Sequence, residues 1–116
     1  MPTVELTFEC VLFDMDGTLI DSTPAVNQTW KEYIERFNLD GEYVMQHCHG
    51  CRTIENLRRF TPLSEEELPE EVKRFEGRIK EIALEDAKTN GPGQIVGLPG
   101  TKELLAQVRI ARRRVK

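Results

Sequence analysis

The stretch Cys10-Val11-Leu12-Phe13-Asp14-Met15-Asp16-Gly17-Thr18-Leu19-Ile20-Asp21-Ser22 is an apolar run that delivers two carboxylates, one residue apart, into a glycine turn. Four apolar residues without polar alternation suit a strand buried on both faces, as in a parallel sheet. The carboxyl end of such a strand is where open α/β sheets bind their ligands, so Asp14 and Asp16 fall where chemistry is usually done. Gly17 allows a tight turn directly after them, and the Thr18 hydroxyl can tie that turn down. An ordinary strand followed by an Asp-Gly turn accounts for Asp16-Gly17. It leaves unexplained a second Asp two residues earlier, the Thr, and the Asp21-Ser22 pair.

At these residues the chain resembles the haloacid-dehalogenase-like hydrolase superfamily, whose first motif reads three apolar residues, Asp-x-Asp-Gly-Thr-Leu-x-Asp-Ser. Every position of that motif is matched between residues 11 and 22. The resemblance implies an α/β fold: a Rossmann-like parallel-sheet core carrying an inserted, all-helical cap. It also implies phosphoryl transfer through a covalent intermediate. Asp14 would be the nucleophile that becomes an aspartyl-phosphate, and Asp16 the acid that protonates the leaving alkoxide and later takes a proton from water. Gly17 and Thr18 would support the turn and the bound phosphate. Mg2+ would be held by the Asp14 carboxylate and the Asp16 backbone carbonyl, screening the approach of one anion to another. Dehalogenases of the superfamily lack the second Asp because a halide needs no proton, so Asp16 favours a phosphatase or a phosphomutase.

With 116 residues, the chain is one domain of ordinary size or a piece of a larger one. Nothing in it approaches the ~18 to 20 apolar residues needed to span a membrane, and Met1 to Glu9 lacks a basic segment followed by an apolar one. No membrane association is expected, and the expected location is the cytoplasm. Cys10, Cys48 and Cys51 are an odd number without a secretion leader, which argues against a disulfide framework. The net charge of −4 conceals an asymmetry: residues 109–116 carry five basic groups, leaving −9 on residues 1–108. That basic end reads as a solvated terminus, and nucleic acid is not an expected partner.

After the motif, Thr23 can cap a helix whose first turn holds Pro24, with Val26, Trp30, Tyr33, Ile34 and Phe37 as its packed face. Asp40-Gly41 interrupts the pattern, and a short helix is expected from Glu42 to His47. Thr53 can cap a third helix with Ile54, Leu57 and Phe60 on one face, closed by Thr61-Pro62. Ser64 and Glu67 form a capping box ahead of the longest helix, whose stripe is Leu68, Val72, Phe75, Ile79, Ile82 and Ala83. Pro69 is expected to kink or split its first turn. Residues 23–94 therefore read as a helical cap with its hinge at Thr89 to Gln94, and residues 1–22 with 95–116 as part of the core. Within the latter, Pro99-Gly100-Thr101 opens a helix bearing Leu104, Leu105 and Val108.

His47-Cys48-His49-Gly50-Cys51-Arg52 carries ligand types that suit zinc or a redox disulfide. No second Cys or His pair downstream completes a four-ligand site. By resemblance, His49-Gly50-x-Arg52-Thr53 is similar to a His-Gly-x-Arg-Thr segment of capped polyol- and sugar-phosphate phosphatases. That likeness makes Arg52, with Gly50 and His49, the expected substrate contacts of the cap. A surface arginine ahead of a helix is the competing reading.

The family's other parts are a Ser or Thr that binds phosphate, a Lys, and an acidic pair for the metal; none is placed in this chain. Lys102 lies at the start of the expected core helix and does not replace the family's lysine. The chain is thus expected to be the N-terminal portion of a Mg2+-dependent phosphatase for a small phosphorylated sugar or polyol, inactive by itself. The alternatives are a phosphomutase of the same superfamily and a truncated product with no catalytic role.

Overall fold

The structure, a computed structural model, describes residues 2–114. Lys116, counted above in the basic end, lies outside the described residues. The elements in order are β1 (Ile20–Asp21), α1 (Thr23–Phe37), α2 (Gly41–His47), α3 (Thr53–Phe60), α4 (Leu68–Thr89), β2 (Val96–Gly97) and α5 (Thr101–Arg114). Contacts within the chain divide it into two units, one made of residues up to 21 with those from 97 onward, the other of residues 22–96.

The helical unit follows directly from the apolar stripes of α1, α3 and α4. Trp30, Tyr33, Val44, Cys48, Leu57, Leu68 and Phe75 are buried together, with Val26, Ile34, Phe37, Ile54, Phe60, Val72 and Ile79 packed around them. Trp30, only 1% exposed, is the hub. Its ring meets Phe75 at 4.7 Å, Phe60 at 5.7 Å and Tyr33 at 6.0 Å between centroids, tying α1 to α3 and α4. Such tilted and edge-on pairs add to the stabilisation from burial alone. A second cluster, Ala25 with Ile82 and Ala83, joins the start of α1 to the end of α4.

Helix ends fall close to their sequence signals, with instructive offsets. The N-cap of α1 is Ser22, and Thr23 is the first helical residue; the N-cap of α3 is likewise Arg52, one residue before Thr53. Neither expected threonine is the cap. Asp40 does cap α2, accepting the Tyr43 N–H at 3.1 Å, and the helix begins one residue before its expected start. Glu67 Oε2 accepts from both the N–H and the hydroxyl of Ser64, closing a turn that runs directly into α4, which starts at Leu68. Pro69 accordingly sits in the first turn of α4, where its missing N–H costs nothing.

Asn38 and Asn90 adopt left-handed conformations to end α1 and α4. Beyond Asn90, Asp86 organises the chain: its backbone oxygen accepts the Gly91 N–H and its Oδ2 accepts the Gly93 N–H at 2.6 Å. A Cβ at Gly91 would lie 2.6 Å from Asp86 Cγ, and one at Gly93 would lie 2.5 Å from Asp86 Oδ2 and 2.8 Å from Ile82 Cγ2. A side chain at either position would force the Asp86 carboxylate, and at Gly93 also the Ile82 side chain, to move.

One charge is buried in the helical unit. Glu71, 5% exposed, accepts from Tyr33 Oη at 2.5 Å and from Arg36 Nη1 at 2.6 Å. Burial pushes its carboxyl up, but the Arg36 and Tyr33 hydrogen bonds and the nearby Arg36 and Arg74 charges outweigh it and hold the pKa below the usual glutamate range. Glu71→Ala strands the buried Tyr33 hydroxyl and leaves Arg36 unpaired, an expected loss of about 3 kcal/mol, the low end for breaking a buried pair because Arg36 is half exposed. Since the folded pKa is lowered, this stabilisation is present above the unfolded value of about 4.3 and vanishes as pH falls through the folded value. Melting temperatures taken from pH 6 downward should therefore fall more steeply in acid for the wild type than for Glu71→Gln.

In the other unit, Val11 to Phe13 do not form the expected buried strand. They lie outside any strand, and Leu12 is 91% exposed. A strand is held by its ladder partners, and among the described residues the ladder pairs only β1 with β2. The expected helix after Pro99-Gly100 is present as α5, with Gly100 at φ +86° just before it. Leu104 and Leu105 on α5 are exposed.

Candidate active site

Residues 14–20 form a tight loop held from within. The Met15 carbonyl accepts the N–H groups of Thr18, Leu19 and Ile20 at 3.3, 2.9 and 3.1 Å, while the Gly17 N–H donates to the Ile20 carbonyl at 2.8 Å. Asp16 forms a bridge with Ile20. Gly17 has φ +76°, the left-handed conformation that the Asp-Gly pair leads one to expect. Three N–H groups on one carbonyl, with a reversal at Gly17, leave the two aspartates on the outside of a closed turn.

Asp14 is tied at both oxygens. Oδ1 accepts the Met15 N–H at 3.0 Å, and Oδ2 accepts from the Thr18 hydroxyl at 3.4 Å. Thr18 thus fastens the turn to the first aspartate itself. Both aspartates are exposed. The loop is anchored at its far end by Leu19, whose carbonyl accepts the Leu98 N–H at 2.9 Å and the hydroxyl of the buried Thr101 at 2.8 Å. Thr101, the first residue of α5, was legible only as a helix opener; its side-chain bond to a residue 82 positions earlier carries no sequence signal.

Hard oxygen donors from Asp14 and Asp16 are of the kind magnesium takes, completed by water and phosphate oxygens in sites of this sort. The donor chemistry therefore fits the metal. Among the described residues no group of three or more His, Cys, Asp or Glu is placed to hold an ion.

His49, Gly50 and Arg52 lie together in the other unit, in the bend that joins α2 to α3. All three are exposed, and Gly50 has φ +80° with open space where a Cβ would stand. Its glycine requirement comes from the backbone conformation alone. Arg52 is extended at the N-cap of α3. Of the two cysteines in this bend, Cys51 is exposed while Cys48 is buried, and both thiols are free. Burial pushes the Cys48 thiol up, away from the thiolate that a redox pair or a zinc ligand requires. The Cys48 carbonyl is instead capped by the Nδ2 of buried Asn56 at 2.7 Å, a contact the sequence analysis did not anticipate.

The family model described as haloacid dehalogenase-like hydrolase matches residues 11–113. The chain belongs to the haloacid dehalogenase-like hydrolase family. Its α/β character with a helical insert is that of the family. Among curated relatives, hexitol phosphatase A of Escherichia coli (strain K12) is 38% identical over 101 residues, covering 86% of this chain and 43% of that protein. Glycerol-1-phosphate phosphohydrolase 1 of Saccharomyces cerevisiae is 35% identical over 79 residues, or 67% of this chain and 31% of the relative. The yeast 2-deoxyglucose-6-phosphate phosphatase 1 is 38% identical over 58 residues, half of this chain and 24% of the relative. This haloacid dehalogenase-like chain thus spans less than half the length of each of these relatives. No solved structure matches it significantly. Among the described residues no helix is long and apolar enough to cross a membrane.

Proposed function

We propose that this chain contributes the nucleophile loop and the helical cap of a magnesium-dependent phosphatase that hydrolyses a small sugar or polyol phosphate. The observation that carries the reading is the Asp14-x-Asp16 pair on a closed turn, in a chain whose relatives are named for sugar- and polyol-phosphate hydrolysis.

In this mechanism an Asp14 oxygen attacks phosphorus, forming the aspartyl-phosphate as the phosphorus bond to the substrate alkoxide breaks. Asp16 gives its proton to that alkoxide. A water then attacks the same phosphorus and Asp16 takes back a proton. The Asp14–phosphorus bond breaks, releasing inorganic phosphate and restoring both side chains. The Met15 N–H bond, with a longer contact from the Thr18 hydroxyl, favours an orientation of the Asp14 carboxylate against the turn. Magnesium, held by the Asp14 carboxylate and the Asp16 carbonyl, would supply neutralising charge at the phosphate. Residues 23–94 would be the cap, with Arg52 its substrate contact, helped by Gly50 and His49.

The test is phosphate release from a panel of glycerol, hexitol and hexose phosphates. It uses this chain and a chimera in which the chain replaces the matched residues of the bacterial hexitol phosphatase. The chimera should release phosphate from at least one polyol or sugar ester, stop when the metal is chelated and resume with magnesium. A folded chimera that releases nothing from the panel sinks the proposal. Transfer of the phosphate to another carbon of the same sugar would indicate a mutase instead.

A further inference from the structure

The segment Thr3 to Glu9 serves neither the helical unit nor the aspartate loop, and it lies ahead of residues 11–113, which the family model matches. Its side chains alternate, Val4, Leu6 and Phe8 with Thr3, Glu5, Thr7 and Glu9, which is the two-residue period of a strand with one apolar face. That face is bare: Val4 is 76%, Leu6 70% and Phe8 71% exposed. Among the described residues, residues 3–9 make no hydrogen bond within the chain, so their N–H and C=O groups are open to a partner strand. The unit that holds them has no apolar core of its own. Of its described residues only Thr101 is buried, and Leu104, Leu105 and Ile110 of α5 are exposed as well.

The charges of the segment select its partner. Parallel pairing in register would set Glu5 against Glu5 and Glu9 against Glu9. Antiparallel pairing centred on Glu5 or on Thr7 would set Glu5 against Glu5 or against Glu9, and like charges directly opposite are destabilising. An antiparallel pair centred on Leu6 avoids both. It places Leu6 opposite Leu6, Val4 opposite Phe8, Glu5 opposite Thr7 and Thr3 opposite Glu9, so each apolar residue meets an apolar one and each acid meets a hydroxyl. A slip of one residue on either strand would set every apolar side chain against a polar one, and centring on Phe8 would bring Glu5 against Val11. We propose that residues 3–9 dock on the same residues of a second copy of this chain, as a two-stranded antiparallel ribbon with its two-fold axis at Leu6. A ribbon of two strands needs its apolar face covered, and the exposed Leu104 and Leu105 of α5 in each copy supply the cover. Such two-fold pairing is closed and stops at two chains. Asp14 to Thr18 stay outside the paired residues, so the dimer is independent of the phosphoryl chemistry proposed above.

Sedimentation equilibrium of the full chain should show a reversible monomer–dimer system with no larger species. Leu6→Lys sets two ammonium groups face to face on the axis and should weaken the dimer by roughly a hundredfold or more. Thr7→Lys should do the reverse and tighten it roughly tenfold, because the new ammonium stands opposite Glu5 on both sides of the axis. In a Cys10→Ser, Cys51→Ser background under air, Leu6→Cys should form a disulfide-linked dimer while Phe8→Cys stays unlinked, since only position 6 meets its own copy. All of these positions are exposed, so circular dichroism should show the helical unit unchanged in each variant. A one-chain mass at every concentration overturns the proposal, as does assembly that grows without limit. Weaker pairing of Thr7→Lys, or linkage through position 8 in preference to position 6, overturns it as well. The readout is mass and not phosphate release, so a negative result in the phosphatase assay leaves this outcome unaffected.

Discussion

In the chimera described above, Asp14→Asn should reduce phosphate release by a factor of roughly a thousand or more, since a nucleophile cannot be replaced by an amide of the same shape. The exposed carboxylate makes the change structurally mild: an amide at position 14 can still accept the Met15 N–H through its oxygen. The helical signal of the protein should be unchanged. Asp16→Asn should behave differently, because a proton donor matters in proportion to how badly the leaving group needs the proton. Release from an alkyl phosphate should fall by about 10²–10⁴, whereas an aryl phosphate with an acidic leaving group should lose much less. Equal rates for Asp14→Asn and wild type would refute the nucleophile assignment. Equal losses on both esters for Asp16→Asn would refute its role as the acid.

Trp30→Ala should remove a large share of the helical unit's stability. Truncating a fully buried tryptophan costs about 3–5 kcal/mol, while a unit of this size has a total stability of roughly 4–11 kcal/mol at 0.05–0.15 kcal/mol per residue. The loss is concentrated because the ring touches aromatic partners on its own helix, α3 and α4 at once, leaving a cavity that no single helix can close by shifting. Circular dichroism should show a large fall in melting temperature or no cooperative transition. A variant that melts within about 3 °C of the wild type would mean that the core sits elsewhere.

The helices were legible because their signals are local. Val26, Trp30, Tyr33, Ile34 and Phe37 recur at helical spacing, and burial of that face follows from periodicity alone. The α4 stripe is read the same way, as is the left-handed Gly17 after Asp16. What escaped depends on residues distant in sequence. Glu71 stands on the apolar side of α4, one position before Val72, and its burial depends on Tyr33 and Arg36, more than thirty residues earlier. An acid inside an apolar stripe is itself a signal that a cation waits opposite. Thr101 and Asn56 satisfy carbonyls on other elements, and nothing in their neighbours announces it. Val11 to Phe13 show the converse error: an apolar run states that a segment wants burial, but strand formation also requires a partner edge.

The sequence contains a single tryptophan, and it is the buried hub of the helical unit. Its emission therefore forms a built-in optical reporter for that unit, with Leu12, Phe13 and the aspartate loop outside the core it occupies. Fluorescence should follow melting of the four helices, while far-ultraviolet ellipticity also samples α5. Comparing the two traces on unmodified protein would establish, without a label, whether residues 22–96 and the remainder lose their structure in one step or in two.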